Sequence, residues 1–417
     1  MRARTLMAMG GAAALLAVAA CTPSGGSGGG DSNEIVWAIG GAEAQPGGIH
    51  QKVAELWNEL NPDTPVRIEI LPNEADQQRE QQALELQAEG SGFDVLGVDV
   101  IWTGEYQENG WLESLEDVRD QIEPVVLPGP FESAIWGGEL WAAPYNTNAG
   151  FLYYRTDLVD TPPTTWEELC EIAIEVGQEE GIGGYIAQGA QYEGFVVNWL
   201  EFYWGTGGDL FNSDQSQVVF DVDRATQATE FMAEALDSGC FAPGFNTAME
   251  EEARNEFQSG NAVFMRNWPY AYSLIEDDAE SPANGNFGIA PMPTFDGQGT
   301  ISTLGGFNLA VSAFSDNKEA AKEFVVWAAT DPQVQRMLAT EASVPPVMAS
   351  VYEELSDDPV MALLGEVLAD ARPRPASPAW NEISVEMQRA LFPAYNGDAD
   401  ARDAAETVRS FLESTIN

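Results

Sequence analysis

The stretch FDVLGVDVIW, residues 93–102, decides the fold class of this chain. It is apolar along most of its length, whereas a strand with one solvent-exposed face alternates apolar and polar residues. Continuous apolar runs are typical of strands in parallel sheets that are covered on both faces. We therefore expect a buried strand at this position.

The chain before this strand alternates between strand and helix patterns. EIVWAIGG (34–41) and VRIEILP (66–72) predict two further strands. Apolar residues at helical spacing from Ile49 predict the first helix, and a polar helix is expected over about 74–89. The order βαβαβ predicts a mostly parallel sheet covered by helices, which is an α/β fold.

Two later helices have predicted capping pairs at their N-termini. Thr165 with Glu168, and Asp316 with Glu319, have the spacing of a capping box, in which each side chain accepts from the other residue's backbone N–H. Apolar residues at helical spacing follow each pair. We interpret both pairs as structural features without a functional role.

The N-terminus has the pattern of a secretion signal. Basic residues precede an apolar run over 6–20 that is too short to span a bilayer comfortably. The run ends in LAVAAC, which resembles the bacterial lipobox. Residues 1–20 are therefore predicted to be a lipoprotein signal peptide, with lipid on Cys21. The alternative is a plain secretory signal followed by an incidental cysteine.

A flexible tether is predicted directly after this cysteine. TPSGGSGGG (22–30) lacks side chains that pack, and such segments behave as flexible linkers. With Cys21 it forms the segment 21–30, so a folded body is expected to begin near Asp31. We expect the protein to lie at the extracytoplasmic face of the cell membrane, anchored by its lipid.

The charge balance of the chain narrows its range of partners. The sequence contains 67 acidic and 18 basic residues, a formal charge of -49 at pH 7. A field of this sign repels nucleic acids and anionic ligands at long range. We therefore expect no nucleic-acid partner.

The residue inventory excludes several kinds of catalytic site. His50 is the only histidine, so a His-rich metal cluster is excluded, and we predict an exposed side chain in the first turn of a helix. Neither a phosphate-binding P-loop nor a GxSxG nucleophile turn occurs. We expect no metal, no cofactor and no enzymatic activity. The inventory leaves open only a hidden carboxylate pair of a glycoside hydrolase.

Cys170 and Cys240 are the two cysteines that remain after Cys21. Two such residues in an exported protein form a disulfide more often than a metal or catalytic site, and their spacing is not that of a CxxC motif. We therefore favour a Cys170–Cys240 bridge that ties together two helices of one lobe.

Candidate binding residues lie where predicted strands end, because ligands of open α/β sheets bind at the carboxyl ends of strands. Glu43 follows the first strand and Asp99 lies near the end of the third. Trp268 and Tyr270 follow the strand NAVFMRN. Carboxylates suit hydroxyl groups, and aromatic faces suit the C–H surface of a sugar ring. This set of residues indicates a neutral polyol rather than a phosphate.

The order of several motifs resembles a known family. The chain contains the lipobox and Gly-rich tether, then LGVDVIWTGEYQENGWLESL, AAPYNTNAGFLYYRTDLV, PPTTWEEL, GNAVFMRNWPYAYSL, STLGGFNLAVS and ARPRPASPAWNEIS. Together they look like an extracellular solute-binding protein of an ABC sugar importer, and within that group the trehalose/maltose-binding branch is most similar. The resemblance extends over 34–415.

The resemblance implies a type II periplasmic-binding-protein fold, in which two α/β lobes joined by hinge crossovers close over a sugar. Lobe 1 would comprise 31–146 and 301–342, and lobe 2 would comprise 147–300 and 343–417. The crossovers near Asn146, Thr300 and Ser343 would absorb the rotation of the backbone on closure.

The resemblance also implies which residues contact the sugar. Acids and amides would bind hydroxyl groups, two aromatics would form a stacking platform, and two glycines would let backbone N–H groups approach. One arginine of RPRPASP would bridge two hydroxyls, with Arg374 favoured and Arg372 as the alternative. The residues carried over are Glu43, Asp99, Trp102, Asn146, Asn148, Trp268, Tyr270, Gly305, Gly306 and Arg374 or Arg372. Two positions are added from the local sequence, Trp204 near a glycine turn and Gln77 or Gln78 after the second strand.

The expected function is therefore capture of a di- or oligosaccharide, such as trehalose or a maltose-like α-glucoside, by a monomeric receptor. Closure would present a changed surface to two permease subunits that are powered by a separate nucleotide-hydrolysing subunit. A polyamine receptor of an ABC importer is the main alternative, because acids and aromatics in a cleft would also suit polyamines. A secreted glycoside hydrolase is the enzyme alternative.

Overall fold

The computed structural model describes residues 33–213 and 215–415. The predicted signal peptide, Cys21 and tether lie outside the described residues. The strands are β1 (Ile35–Ile39), β2 (Val66–Ile70), β3 (Val95–Asp99), β4 (Ile135–Trp136), β5 (Glu139–Leu140), β6 (Ala143–Ala149), β7 (Phe151–Arg155), β8 (Gly183–Ile186), β9 (Ala262–Asn267), β10 (Phe287–Ala290), β11 (Thr303–Val311) and β12 (Arg372–Pro373). The helices that precede β10 in sequence are α1 (Ile49–Leu60), α2 (Ala75–Gln87), α3 (Thr103–Glu108), α4 (Arg119–Ile122), α5 (Pro128–Ser133), α6 (Trp166–Glu180), α7 (Glu193–Gly205), α8 (Val222–Ser238), α9 (Glu250–Gln258) and α10 (Ala271–Asp277). The remaining helices are α11 (Lys318–Thr330), α12 (Pro332–Ala342), α13 (Ala349–Glu354), α14 (Pro359–Val367), α15 (Trp380–Tyr395) and α16 (Ala401–Thr415).

The first sheet has six strands and contains the predicted βαβαβ unit. β1 lies between β2 and β3 and is parallel to both, as the sequence predicts. All five residues of β3 are buried, which confirms that this strand is covered on both faces. β11 runs antiparallel to β3 and to β6, and it pairs with the short β12 at one end. α1 and α11 supply part of the core beside β1, where the rings of Trp37 and Phe324 lie 5.3 Å apart.

The second sheet has four strands in the order β10-β7-β9-β8. β7 is antiparallel to β9 and β10, whereas β8 is parallel to β9. α6 and α7 supply the aromatic core of this region, in which the rings of Trp166 and Phe202 lie 4.5 Å apart. β9 of this sheet ends directly before Trp268, one of the residues that the sequence singles out for stacking.

One of the two predicted capping boxes is present. The Thr165 hydroxyl accepts from the backbone N–H of Glu168 at 3.1 Å, and the Glu168 carboxylate accepts from the backbone N–H of Thr165. The second prediction is wrong, because α11 begins at Lys318 with Asn317 as its N-cap and no side-chain capping bond. The Asn317 amide instead donates to the backbone oxygen of Glu34, a residue far away in sequence.

A disulfide joins Cys170 and Cys240, whose Cα atoms lie 4.8 Å apart. Cys170 lies in α6, as expected for a helix-borne cysteine. Cys240 follows the C-cap residue of α8, Gly239, so it lies in the loop after that helix and not within it. The bridge therefore ties α6 to the end of α8, not one helix to another.

Residues 33–213 and 215–415 include no helix that combines the length and the apolar character needed to cross a bilayer.

Candidate ligand-binding site

A cleft between the two sheets brings together most of the predicted binding residues. Its empty volume is about 930 Å³, part of it open to solvent. The predicted residues that line it are Glu43, Asp99, Asn146, Asn148, Trp268, Tyr270, Gly305, Gly306 and Arg374. A ligand in this cleft would be contacted by residues of both walls.

The wall on the side of the first sheet is formed by strand ends and by β11. Glu43 lies in a short 3₁₀ turn after β1, and Asp99 is the last residue of β3. Asn146 lies on β6, and its Oδ1 accepts from the backbone N–H of Phe307 at 3.2 Å. Gly306 on β11 has φ 129°, and a Cβ there would lie 2.4 Å from the backbone oxygen of Asn146. Only glycine allows this close approach of β6 and β11 beside the cleft.

The opposite wall is formed by helix starts and by the end of β9. Glu193 is the first residue of α7, and Glu250 and Glu251 are the first two residues of α9. Trp268 follows β9 directly, and Tyr270 precedes α10. Acids are common in the first turn of a helix because they complement the helix dipole. Their sequence pattern is that of ordinary capping residues, which is why sequence reasoning missed all three glutamates.

Trp268 has the geometry of a stacking platform. Its indole is half-buried and lines the cleft, where the edge of the ring lies beside the backbone of Gly305. The guanidinium of Arg266 lies 4.0 Å from the centre of the ring and supports one face. Arg266 is fully buried and is held by Glu201 at 2.7 Å and by Gln188 at 3.0 Å. The support behind the ring is therefore rigid.

Arg374 connects the two walls. Its Nη2 donates to Asp99 at 2.9 Å and its Nη1 donates to Glu193 at 2.7 Å. The residue is 4% exposed, and its Nε has no hydrogen-bond partner among the described residues. Burial raises the pKa of Asp99, and Arg374 opposes this shift. Of the two candidate arginines, Arg374 is the one that lines the cleft.

Arg372 and Trp204 do not line this cleft, although both were predicted to contact the ligand. The Arg372 guanidinium pairs with Asp209 and lies 4.8 Å from the centre of the Trp204 ring. Arg372 on β12 therefore packs against Trp204 at the end of α7. Arg372 lies on β12, whereas Arg374 follows the end of this two-residue strand, and only Arg374 lines the cleft.

Gln77 and Trp102 also lie away from the cleft wall. Gln77 is exposed, whereas Gln78 is 2% exposed and lines the cleft. Successive residues of a helix point about 100° apart, so Gln77 faces the solvent while the next residue of α2, Gln78, faces the cleft. Trp102 is buried and stacks on Tyr106 at 6.1 Å, which gives it a packing role.

His50 is buried, which corrects the expectation of an exposed side chain. It lies in the first turn of α1 as predicted, but it is 5% exposed and lines the cleft. Its Nδ1 lies 3.2 Å from the Tyr145 hydroxyl. Burial lowers the pKa of His50 to about 3, so the imidazole is neutral at pH 7.

The described part of the chain contains no group of His, Cys, Asp and Glu side chains arranged to hold a metal ion.

Asp76 is a second carboxyl with an altered proton affinity. It lies on α2 next to the cleft, and its Oδ2 accepts from Gln388 of α15 at 3.2 Å. Burial, with a smaller contribution from the charge of the nearby Glu193, raises the pKa of Asp76 to about 7. The folded protein therefore keeps a proton that the unfolded chain has already released between about pH 4 and pH 7. Stability falls as the pH rises through this window.

Replacing Asp76 with asparagine is expected to remove this loss of stability. Asp76→Asn keeps the oxygen that accepts from Gln388 and carries no charge. Its gain in the free energy of unfolding should rise from near zero at pH 4 to roughly 1–3 kcal/mol at pH 8. Urea denaturation at both pH values measures the gain, with Asp63→Asn at an exposed loop position as the control. An equal gain at pH 4 and pH 8 would contradict the raised pKa.

Comparison with known proteins gives a consistent set of relatives. The family model described as bacterial extracellular solute-binding protein matches residues 41–335. A protein of Deinococcus radiodurans described as a probable ABC transporter-binding protein is 34% identical over 313 residues, which are 72% of each chain. The maltotriose-binding protein of Pyrococcus abyssi is 26% identical over 310 residues, covering 72% of this chain and 63% of that protein.

The solved structure of maltose-bound MalE3 from T. maritima is similar to this chain throughout. The TM-score is 0.85 at 35% sequence identity, and the match covers 91% of this chain and 99% of the other. This similarity confirms the predicted fold class, an α/β periplasmic-binding-protein architecture.

Proposed function

The chain belongs to the family of bacterial extracellular solute-binding proteins, and we propose that it captures a di- or oligosaccharide for an ABC importer. The ligand class is a neutral α-glucoside such as trehalose or a maltose-like sugar. The family consists of transport proteins and not of enzymes. Proteins of this kind that bind sugars deliver them to membrane permeases, and we propose permease subunits as the partners of this chain.

Trehalose or maltose-like specificity is supported mainly by one observation, the Trp268 platform in a cleft lined by groups that bind hydroxyls. An indole face covers the C–H surface of a sugar ring. Asn146, Asn148 and the free Nε of Arg374 offer neutral and charged partners for hydroxyl groups. A maltotriose-binding relative and a maltose-bound structural relative support the same ligand class.

The proposed mechanism is closure of two lobes around the sugar. Residues from both walls already meet through Arg374, which pairs with Asp99 on one side and Glu193 on the other. A ligand that contacts both walls favours the closed state, since it gains those contacts only there. We propose lobes 31–146 with 301–342 and 147–300 with 343–417, and hinge crossovers near the boundaries of these segments.

The family is extracellular, and we infer that lipid on Cys21 holds the protein at the outer face of the cell membrane. The Gly/Ser-rich segment after this cysteine would let the folded body move while it remains near the permease. We propose that the receptor acts as a monomer.

A thermal-shift screen tests the proposed function. The protein from Asp31 onward is heated with trehalose, maltose, maltotriose, sucrose, glucose or spermidine. A ligand that binds only the folded state raises the melting temperature by mass action. We expect a shift with at least one α-glucoside. A shift with spermidine and with none of the sugars would overturn the proposal in favour of a polyamine receptor, and sustained glucose release would indicate a hydrolase.

Removing the stacking ring is expected to weaken sugar binding more than it weakens the fold. Trp268→Ala should cost the complex more than ~1 kcal/mol, about a fivefold or larger rise in Kd, because the half-buried ring faces the cleft. Calorimetric titration with the sugar found in the screen measures this loss. Trp327→Ala is the matched control, since this half-buried ring packs on Trp57 away from the cleft. An unchanged Kd for Trp268→Ala would assign Trp268 to packing.

A further inference from the structure

The charged residues that line the cleft form two groups, which differ in how many of their carboxylates have a cationic partner. In the first group, Arg374 forms ion pairs with both Asp99 and Glu193. Trp380 Nε1 also donates to Glu193 at 3.1 Å, so this carboxylate has several donors. The first group is therefore well satisfied without a ligand, and the buried Nε of the arginine is its donor without a partner among the described residues.

The second group consists of Glu43, Glu250 and Glu251. Glu251 pairs with Arg254 at 2.7 Å and accepts from the Tyr270 hydroxyl at 2.6 Å. Glu250 accepts from the Tyr192 hydroxyl at 2.7 Å but has no ion pair among the described residues. Glu43 likewise has no ion pair in the described part of the chain. Two carboxyls in a partly enclosed cleft thus lack a cation.

No described side chain is positioned to supply this cation. Arg266 attracts Glu250 through space, but its guanidinium is engaged by Glu201 and Gln188. His50 also lines the cleft, but it is neutral at pH 7 because it is buried. Glu43 and Glu250 are partly buried, and an ionised carboxylate without a partner is costly in such a position, so the missing positive charge is a property that a ligand can supply.

An unpartnered acceptor lies at the same end of the cleft. Gln78 is 2% exposed, lines the cleft, and its Oε1 has no hydrogen-bond partner among the described residues. Its amide Nε2 donates to the backbone of Asn73 at 3.2 Å, which fixes the orientation of the group. A Cβ on Gly40 would lie 2.5 Å from the Gln78 carboxamide carbon, and one on Gly41 would lie 2.7 Å from a Glu43 oxygen. The Gln78 carboxamide and the Glu43 carboxylate therefore both lie beside this Gly-Gly pair.

We propose that the preferred ligand is a sugar in which a primary amine replaces one hydroxyl, with its ammonium group bound by Glu43, Glu250 and Gln78. An ammonium has three donors and one positive charge, which match two carboxyls and one amide oxygen. This inference rests on the proposed sugar-binding function and differs from it in one respect, because the preferred ligand carries a positive charge.

A linear polyamine fits this charge pattern less well. A polyamine carries cations along its length, whereas the acids of the first group already share Arg374 as an ion-pair partner. The region around Arg374, Asn146 and Asn148 presents donors and amides that suit hydroxyl groups. A ligand that matches both regions has an ammonium group at one end and hydroxyl groups at the other, as an amino sugar does. The charge of -49 also attracts a cationic ligand at long range.

Proton exchange at Glu43 supports this assignment. Burial, with smaller contributions from the charges of Glu251 and Glu250, raises the pKa of Glu43 to about 7. The groups that face it are these two glutamates of α9, together with the neutral rings of Tyr145 and Tyr270 and the neutral His50. The free protein therefore holds part of a proton here at pH 7. An ammonium group should displace that proton, whereas a neutral sugar should leave it bound.

Calorimetric titration with matched sugars tests the inference. The ligands are trehalose and maltose, and their monoamino derivatives with the amine at C2, C4 or C6 of one glucose. At pH 7 and low salt, at least one amino sugar should bind about tenfold more tightly than its neutral parent. Repeating the titration in buffers of different ionisation enthalpy should show proton release with that amino sugar only.

Two variants locate the effect. Glu43→Gln keeps an oxygen acceptor and should remove the tenfold preference for the amino sugar over its neutral parent. Glu256→Gln on the exposed face of α9 changes the net charge equally and should keep the gain.

If neutral sugars bind and every amino sugar binds no more tightly, the inference is wrong while the proposed function stands. If the gain persists in Glu43→Gln, the assigned site is wrong. If neither neutral nor amino sugars bind, the proposed function itself is wrong, and the inference falls with it.

Discussion

Replacing Arg374 with methionine is expected to lower the free energy of unfolding by about 3–5 kcal/mol and to weaken sugar binding at least tenfold. The guanidinium is almost fully buried and is the ion-pair partner of both Asp99 and Glu193. Its removal leaves two carboxylates enclosed without a cation, which costs more than the ion pair itself contributes. Lysine at this position should not restore binding, because one ammonium cannot reproduce the fork that reaches both walls.

Urea denaturation and calorimetric titration measure the two effects of Arg374→Met separately. Arg336→Met is the matched control, because Arg336 pairs with Glu354 in an exposed position, where the loss should be below about 1 kcal/mol. Adding Asp99→Asn and Glu193→Gln to Arg374→Met should recover much of the stability by removing the unpaired charges. Sugar binding should stay weak in this triple variant. A stable single variant with normal affinity would show that Arg374 has neither role.

Replacing Arg266 with methionine should cost a similar amount of stability, about 3–5 kcal/mol, for the same physical reason. Arg266 is fully buried, and its partner Glu201 is also enclosed, with 2% of its side chain exposed. Glu201 additionally accepts from the backbone N–H of Thr303 at 3.0 Å, at the start of β11. The pair therefore links the support of the Trp268 ring to a strand of the first sheet.

The double variant Arg266→Met with Glu201→Gln separates stability from ligand binding. Glutamine keeps an acceptor for Thr303 and removes the unpaired charge, so most of the lost stability should return. Sugar affinity should remain reduced several-fold, because the indole has lost the guanidinium that supports one face. Chemical denaturation and calorimetry on the parent, single and double variants provide the comparison. Parental affinity in the double variant would show that Trp268 does not depend on this support.

Much of the fold could be predicted because it depends on local patterns. The continuous apolar run at 93–102 identifies β3, since a strand covered on both faces has no polar side. The spacing from Ile49 identifies α1, and the capping box at Thr165 identifies the start of α6. Each of these features involves residues that are close in sequence. The cap expected at Asp316 is absent, and the N-cap residue Asn317 instead contacts Glu34, which is far away in sequence.

The sequence predicted which segments line the cleft, and it predicted the individual lining residues less accurately. Strand-end residues such as Glu43 and Asp99 line the cleft, because the carboxyl ends of parallel strands meet at one edge of a sheet. The choice of Gln78 over Gln77 depends on a rotation of about 100° on α2, which the amphipathic pattern of a polar helix does not reveal. The buried His50 and the three glutamates at helix starts were missed, because an isolated polar residue has no sequence pattern that distinguishes cleft from solvent.

The sequence by itself determined the α/β architecture and the polar and aromatic character of the ligand-binding segments, because these follow from periodicity and residue chemistry. Only the tertiary structure decided which side chains share the cleft and how their charges are balanced. Arg374 lies 275 residues from Asp99 and 181 from Glu193, yet all three form one buried cluster. Charge balance depends on distances between segments that are remote in sequence, and those distances exist only after the two sheets and their helices have packed.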